Sequence, residues 1–179
     1  MKTINILGDI IGGEGERWFF SEVSPKNVID ALKDANGEDV EIIINSNGGS
    51  VTGGLAIANA IKTYSGETTC VVLGIAASMA SVIACAGKNL KMGEGAFLMV
   101  HNPWTSTSGN AEDLRKDADT LDKMAESIRS FYKGKCPDKT EDELKELMDA
   151  ESWLTRDDAK EFGFKVEDYE GELLSLIHI

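Results

Sequence analysis

The chain is poor in histidine, cysteine, proline and positive charge. Its two histidines are His101 and His178, and His178 lies within the last two residues, so His101 is the one imidazole placed to act as a base. Its three cysteines, Cys70, Cys85 and Cys136, are odd in number and form no CxxC pair. No disulfide framework and no zinc site is indicated, and a reducing compartment fits. Cys70 sits in an apolar stretch and Cys85 in a run of small residues, so both read as core. Lysine and arginine total 18 against 31 aspartates and glutamates, a net charge of −13. That balance disfavours non-specific nucleic-acid binding, which needs a basic surface. It is compatible with basic substrates, although solubility accounts for it equally well. No apolar run approaches the roughly 18 residues of a membrane span. No charged-then-apolar leader opens the chain. The expectation is a cytoplasmic protein with neither membrane nor nucleic-acid partners. No GxxxxGK[ST] loop is present, so any ATPase would be a separate chain, and no metal or other cofactor is expected.

What is present is an alternation of strand and helix patterns over 179 residues with 42% hydrophobic content, enough for one sizeable α/β domain. Ile4 to Ile11 reads as a strand, followed by the turn Gly12-Gly13-Glu14-Gly15-Glu16 and an extended Trp18-Phe19-Phe20. Ser24-Pro25 reads as an N-cap with proline at the first helical position, and Gly37 as the stop. Strands at 40–45 and 68–73 bracket a helix at 53–65; a helix from Ala77 to Ala86 and strands near 88–92 and 96–101 follow. This alternation predicts parallel sheet with helices on its faces. Beyond Pro103 a Ser/Thr-rich loop, Trp104 to Asn110, leads into a charged amphipathic helix, Ala111 to Lys133. Leu114, Leu121 and Ile128 recur there every seven residues, with Met124 and Phe131 beside them, giving one apolar stripe. Thr140-Glu141-Asp142-Glu143 resembles a capping box, and Thr155-Arg156-Asp157-Asp158 caps a last short helix ended by Gly163. The tail Leu173 to Ile179 is apolar and could pair as a strand or dock on a neighbour.

Three segments point to chemistry. Gly74-Ile75-Ala76-Ala77-Ser78-Met79-Ala80-Ser81 follows the apolar run Thr69 to Leu73 and opens a stretch of small residues. That pattern is strand, tight turn and helix, with Ser78 in the first helical turn, where backbone N–H groups are unpaired and the dipole is positive. A tightly packed helix would also use such residues. Twenty-three residues later His101 ends the apolar strand Leu98-Met99-Val100, at a sheet rim where sites are built. A lone histidine is more often structural; beside a helix-start serine it becomes half of a Ser–His dyad. Upstream, Ser46-Asn47-Gly48-Gly49-Ser50 follows the strand Val40 to Asn45. Its glycines permit positive φ and expose N–H groups to an oxyanion, although an ordinary strand-to-helix turn reads the same way. Ser81, three residues after Ser78, is assigned to packing.

Together, Asn45-Ser46-Asn47-Gly48-Gly49, Gly74-x-Ala76-Ala77-Ser78-Met79-Ala80 and Met99-Val100-His101-Asn102-Pro103 resemble the signature blocks of the Clp protease proteolytic subunit, ClpP, in order and spacing. The resemblance covers roughly residues 4 to 166. Within it, Ile4 to Ile10, Gly109-Asn110-Ala111 and Glu151-Ser152-Trp153-Leu154-Thr155 look most like the head maturation (prohead) protease of tailed phages. The resemblance implies a ClpP/crotonase-type α/β fold of repeated ββα/βαβ units with a small sheet and a protruding long helix. The whole chain, 1–179, would be one protease domain: a head of about 1–103 and 151–170, and a handle of about 104–150. In the family that helix makes ring-to-ring contact; the alternative is a stripe packed on its own domain.

By the same resemblance Ser78 is the nucleophile, His101 the base, and the N–H groups of Gly49 and Met79 the oxyanion hole. The triad's acid departs from the family's aspartate: the corresponding position, two residues before Trp153-Leu154-Thr155, is Glu151. Asp149 is the alternative acid, and a dyad with no third member is a further one. Asn47 stands where the family commonly has proline, which leaves that loop less rigid. The implied activity is serine endopeptidase cleavage of protein substrates inside a homo-oligomeric ring. The chain begins almost at its first strand, without the extension that forms axial loops in cellular ClpP. This favours ATP-independent processing of phage capsid or scaffold proteins; work with an AAA+ unfoldase is the alternative. A crotonase-like acyl-CoA enzyme would need no serine nucleophile, and no basic patch for the CoA phosphates is evident. An α/β-hydrolase would show G-x-S-x-G and the order Ser, acid, His, and this chain shows neither.

Overall fold

The computed structural model describes residues 1–16, 19 and 21–171. The expectations for Trp18, Phe20 and the tail Leu173 to Ile179 lie outside those residues. The architecture is a mixed α/β fold with the expected alternation and one long helix. Its first half runs β1 (Lys2–Ile6), α1 (Pro25–Ala35), β2 (Val40–Ser46), α2 (Val51–Lys62), β3 (Thr68–Ala77), α3 (Met79–Ala86), β4 (Asn89–Met92) and β5 (Phe97–Val100). Its second half runs α4 (Ala111–Lys135), α5 (Glu141–Asp149), β6 (Ser152–Thr155), α6 (Arg156–Phe162) and the two-residue β7 (Glu167–Asp168).

The sheet order is β1-β2-β3-β4-β7, with β5 pairing β3 and β6 pairing β5. All these pairs are parallel except β5–β6. Parallel strands covered on both faces read as continuous apolar runs, and Ile42, Ile43 and Ile44 are all buried accordingly. Burying such a side chain fully contributes roughly 1.5–3 kcal/mol. The third strand is longer than its apolar run predicts, because it serves two neighbours in succession. Thr69–Val72 pairs with β4, whereas Ile75–Ala77 pairs with β5. Between the two, the register with β2 shifts, and Asn45 Oδ1 accepts the Ile75 N–H at 3.1 Å.

Local chemistry sets the ends of the helices. Ser24 caps α1 reciprocally with Asn27, Pro25 occupies its first turn, and Asn36 closes it in the left-handed region just before Gly37. Ser50 accepts the Gly53 N–H, so α2 starts two residues earlier than the pattern predicts. The capping boxes at Thr140 and Thr155 form as read, and Gly163 ends α6 with φ 118°. The first strand is shorter than expected: pairing with β2 stops at Ile6, and Ile10 instead bridges Val23 and Gly49.

The apolar stripe of α4 is buried only over its C-terminal half. There Ala125, Ile128, Phe131 and Tyr132 are covered, with α3 and α5 as neighbours, whereas Leu114 is 43% exposed. Tyr132 meets the Phe164 ring edge-on at 6.3 Å. Cys70, Cys85 and Cys136 are free and buried. Burial pushes the Cys70 and Cys136 thiols up to about 12 and Cys85 well above its ordinary value, so none is a nucleophile near neutral pH. No helix among the described residues is long and apolar enough to cross a membrane.

Candidate active site

The third strand delivers its chain into a turn made by one residue, Ser78. Ala77 is the last residue of β3 and Met79 the first of α3, so Ser78 reverses the chain between them. It does so at φ 55° and ψ −125°, a backbone conformation that costs a non-glycine residue energy and recurs at functional sites. The Ser78 N–H donates to Met99 O at 3.0 Å, which ties the turn to β5. Its hydroxyl makes no capping bond, although Ser78 occupies the N-cap position rather than the first helical turn. The side chain is turned elsewhere.

That hydroxyl meets His101. Ser78 Oγ and His101 Nε2 are 2.7 Å apart, a hydrogen bond between half-buried side chains. His101 follows β5 directly, and β5 runs parallel beside the last residues of β3. Two strand ends that are neighbours in the sheet thus set serine against imidazole. The geometry suits proton transfer from hydroxyl to ring within one hydrogen bond.

A second chain of bonds holds the turn from behind. Ser81 Oγ donates to Ser78 O at 2.6 Å and lies 2.7 Å from Tyr132 Oη. With the Ser81 proton committed to the carbonyl, the tyrosine hydroxyl is the donor to Ser81. Both residues are fully buried, and a buried tyrosine hydroxyl needs such a partner. The Ser81–Tyr132 bond was not visible in the sequence, since 51 residues separate its ends.

The glycine loop lies against the same turn. A Cβ on Gly48 would meet Ala77 O at 2.6 Å and the Ser78 Cβ at 2.7 Å, so only glycine allows this approach; its φ is 98°. Ser46 Oγ accepts the Gly48 N–H at 3.1 Å. Ile10 fastens the outer side: its N–H goes to Gly48 O and its carbonyl takes the Ser50 N–H, both at 2.8 Å. This pairing leaves the Gly49 N–H without a partner among the described residues, and Gly49 lines the cleft. Met79 N–H is the first of α3, where no carbonyl of the helix can reach it, while its side chain is buried. The cleft has a volume of about 530 Å³ and takes in Asp9, Asn47, Gly49, Ser78, His101 and Trp104. Asp9 and Trp104 are cleft residues that sequence reasoning did not single out.

The two carboxylates considered as the acid stand differently. The β5–β6 ladder ends with Val100 opposite Ser152, so the next residues of the two chains are His101 and Glu151. Glu151 is exposed, with φ 48°, and its carboxylate has no hydrogen bond or ion pair among the described residues. Asp149 accepts from Lys145 Nζ at 2.6 Å and Asn102 Nδ2 at 2.7 Å. Those two bonds, Lys145 first, hold its carboxyl below the ordinary range. Among the described residues no carboxylate is bonded to His101, so the structure joins Ser78 and His101 and leaves the third position open.

The Clp protease family model matches residues 24–167. Proteolytic subunit 1 of the ATP-dependent Clp protease from Chlamydia caviae is 33% identical over 175 residues, covering 89% of this chain and 91% of that relative. Proteolytic subunit 3 from Rhodococcus jostii is 30% identical over 164 residues, covering 90% and 78%. Proteolytic subunit 1 from Leifsonia xyli is 29% identical over 156 residues, covering 86% and 78%. With this match spanning sheet, glycine loop and serine turn alike, the chain belongs to the Clp protease proteolytic subunit family and is a serine-type peptidase with the ClpP/crotonase-type fold.

Proposed function

We propose that the chain is an endopeptidase in which Ser78 Oγ attacks a peptide carbonyl while His101 Nε2 takes its proton. The tetrahedral intermediate then collapses to an acyl-enzyme as the ring delivers that proton to the leaving amine; water repeats the sequence and releases the acid. The observation that carries this reading is the 2.7 Å contact between Ser78 Oγ and His101 Nε2. The free N–H of Gly49 and that of Met79 are the oxyanion donors in this scheme; losing one such donor typically costs about 10²–10³ in rate. Glu151 completes the triad by turning its free carboxylate to His101 Nδ1, a role supported by its place opposite His101. Asp149 is the second choice, because both its oxygens are already engaged.

The named relatives are subunits of ATP-dependent proteases, which favours protein degradation in partnership with a separate ATPase. ATP-independent processing of phage head proteins rests only on the sequence features of Ile4 to Ile10, Gly109 to Ala111 and Glu151 to Thr155, and none of these relatives supports it. In the assembly we assign, a homo-oligomeric ring, residues of about 1–103 and 151–170 form the head and about 104–150 the handle. The exposed N-terminal half of α4 supports that division. The test is turnover of an unstructured protein by the assembled chain: Ser78→Ala and His101→Ala each abolish it, by a factor on the order of 10⁶, and retained cleavage in either variant contradicts the scheme.

A further inference from the structure

Resting on the peptidase reading above, we propose that the cleft selects peptides carrying lysine or arginine beside the scissile bond, with Asp9 as the counter-ion and Trp104 as the ring against which the cation lies. Asp9 and Trp104 line the same cleft as Ser78 and His101. Among the described residues, Asp9 is the one acid that lines the cleft, and no lysine or arginine lines it. It is exposed, and among the described residues its carboxylate has no hydrogen-bond or ion-pair partner. The two other carboxylates near the serine turn are differently placed: Asp149 is tied to Lys145 and Asn102, and neither it nor Glu151 lines this cleft.

The position of Asp9 is fixed by backbone rather than by chance of a loop. Its carbonyl accepts the Val23 N–H at 2.9 Å, and the next residue, Ile10, is fastened to Gly48 and Ser50 by two bonds of 2.8 Å. The carboxylate is therefore carried one residue away from the loop whose Gly48 packs on Ser78. Trp104 lies three residues beyond His101 and is 74% exposed, so its indole is free to meet a ligand. A guanidinium or ammonium gains from both groups at once: charge-assisted bonds to the carboxylate and attraction to the indole face. An acidic side chain meets a like charge there. A large apolar one strips water from an ionised carboxylate and returns nothing for it. The net charge of −13 acts in the same sense at longer range, raising the local concentration of basic peptides.

The test uses the full chain as it assembles and quenched fluorescent peptides that differ only in placing Lys, Arg, Leu or Glu on either side of the cut. A fluorophosphonate probe on the wild-type protein is run alongside to report the serine independently of sequence preference. The expected result is kcat/KM for the Lys and Arg peptides roughly tenfold or more above the Leu peptide and further above the Glu peptide. Asp9→Asn brings the basic peptides down toward the Leu value, Asp9→Lys turns the preference toward Glu, and Trp104→Ala lowers the basic peptides selectively. A protein that labels at Ser78 and cleaves all four residues alike, or an Asp9→Asn variant that keeps the preference, overturns the substrate assignment and leaves the peptidase reading standing. Absence of both labelling and cleavage overturns the two together.

Discussion

Tyr132 Oη lies 2.7 Å from Ser81 Oγ, and through Ser81 the tyrosine holds the carbonyl of the strained residue Ser78. This joins the buried half of α4 to the turn that presents the serine. Tyr132→Phe removes the donor and leaves Ser81 bonded on one side only. It is expected to cost about 1–2 kcal/mol of stability in denaturant titration. It is also expected to lower kcat at unchanged KM, because the turn loses its support while the cleft keeps its lining. Ser81→Ala should have a similar effect, and the double variant should be little worse than either single one, since both break one chain of bonds. A kcat equal to wild type in Tyr132→Phe would show that the turn holds itself.

Gly48 and Ser78 approach so closely that a methyl group has no room. Gly48→Ala puts a Cβ within 2.6 Å of Ala77 O and within 2.7 Å of the Ser78 Cβ, at a φ of 98°. The loop must retreat and carry Gly49 with it. A displacement of that kind costs about 10²-fold in kcat/KM, measured on a short peptide. Gly95→Ala is the matched control: its φ of 74° imposes comparable backbone strain, but nothing lies within 4 Å of the added Cβ. Equal losses in the two variants would assign the effect to backbone strain rather than to the approach.

Glu151 and Asp149 separate by mutation. If Glu151 turns to His101 in the working state, Glu151→Gln lowers kcat by up to about 10⁴-fold, while Asp149→Asn disturbs only the bonds to Lys145 and Asn102. The measurement is kcat for both variants with the same peptide. The reverse ranking assigns the acid to Asp149, and two near-wild-type variants define a dyad.

Acid stability carries a second signature. The Glu143 carboxylate accepts the Thr140 N–H in the cap of α5, a bond that with help from Lys139 and the Thr140 hydroxyl depresses its pKa from 4.5 to about 2. Between those values the unfolded chain binds more protons than the folded one, so stability falls as pH drops through that window and is fully present above it. Glu143→Gln should flatten this part of the stability–pH curve, followed by thermal unfolding between pH 2 and pH 5. A variant with the same acid limb as wild type would remove Glu143 from the account.

Much of this was readable locally. The caps at Ser24, Thr140 and Thr155 act within four residues of chain, so their patterns survive folding intact. The same holds for placing Ser78 after a strand and His101 at the end of another, since apolar runs and small residues mark those ends. What was not readable depends on partners far away in the chain. The length of β3 follows from its change of neighbour from β4 to β5, which no property of residues 68–77 announces. Ser81 is recognisable as a packed serine, but its bond partner sits on α4. Asp9 reads as one residue of a first strand running from Ile4 to Ile11; only the pairing of Ile10 with the glycine loop brings it to the cleft. The stripe of α4 is uniform in sequence, yet Ile128 is buried and Leu114 exposed, because burial depends on which turns of α4 have α3 and α5 as neighbours rather than on period.

The most direct test of the central relationship, serine against imidazole, is intact-mass spectrometry of the assembled protein after exposure to a fluorophosphonate. One adduct per chain is predicted, located at Ser78, absent in Ser78→Ala and greatly slowed in His101→Ala. No adduct in assembled wild-type protein, or an adduct that persists in Ser78→Ala, would contradict the account.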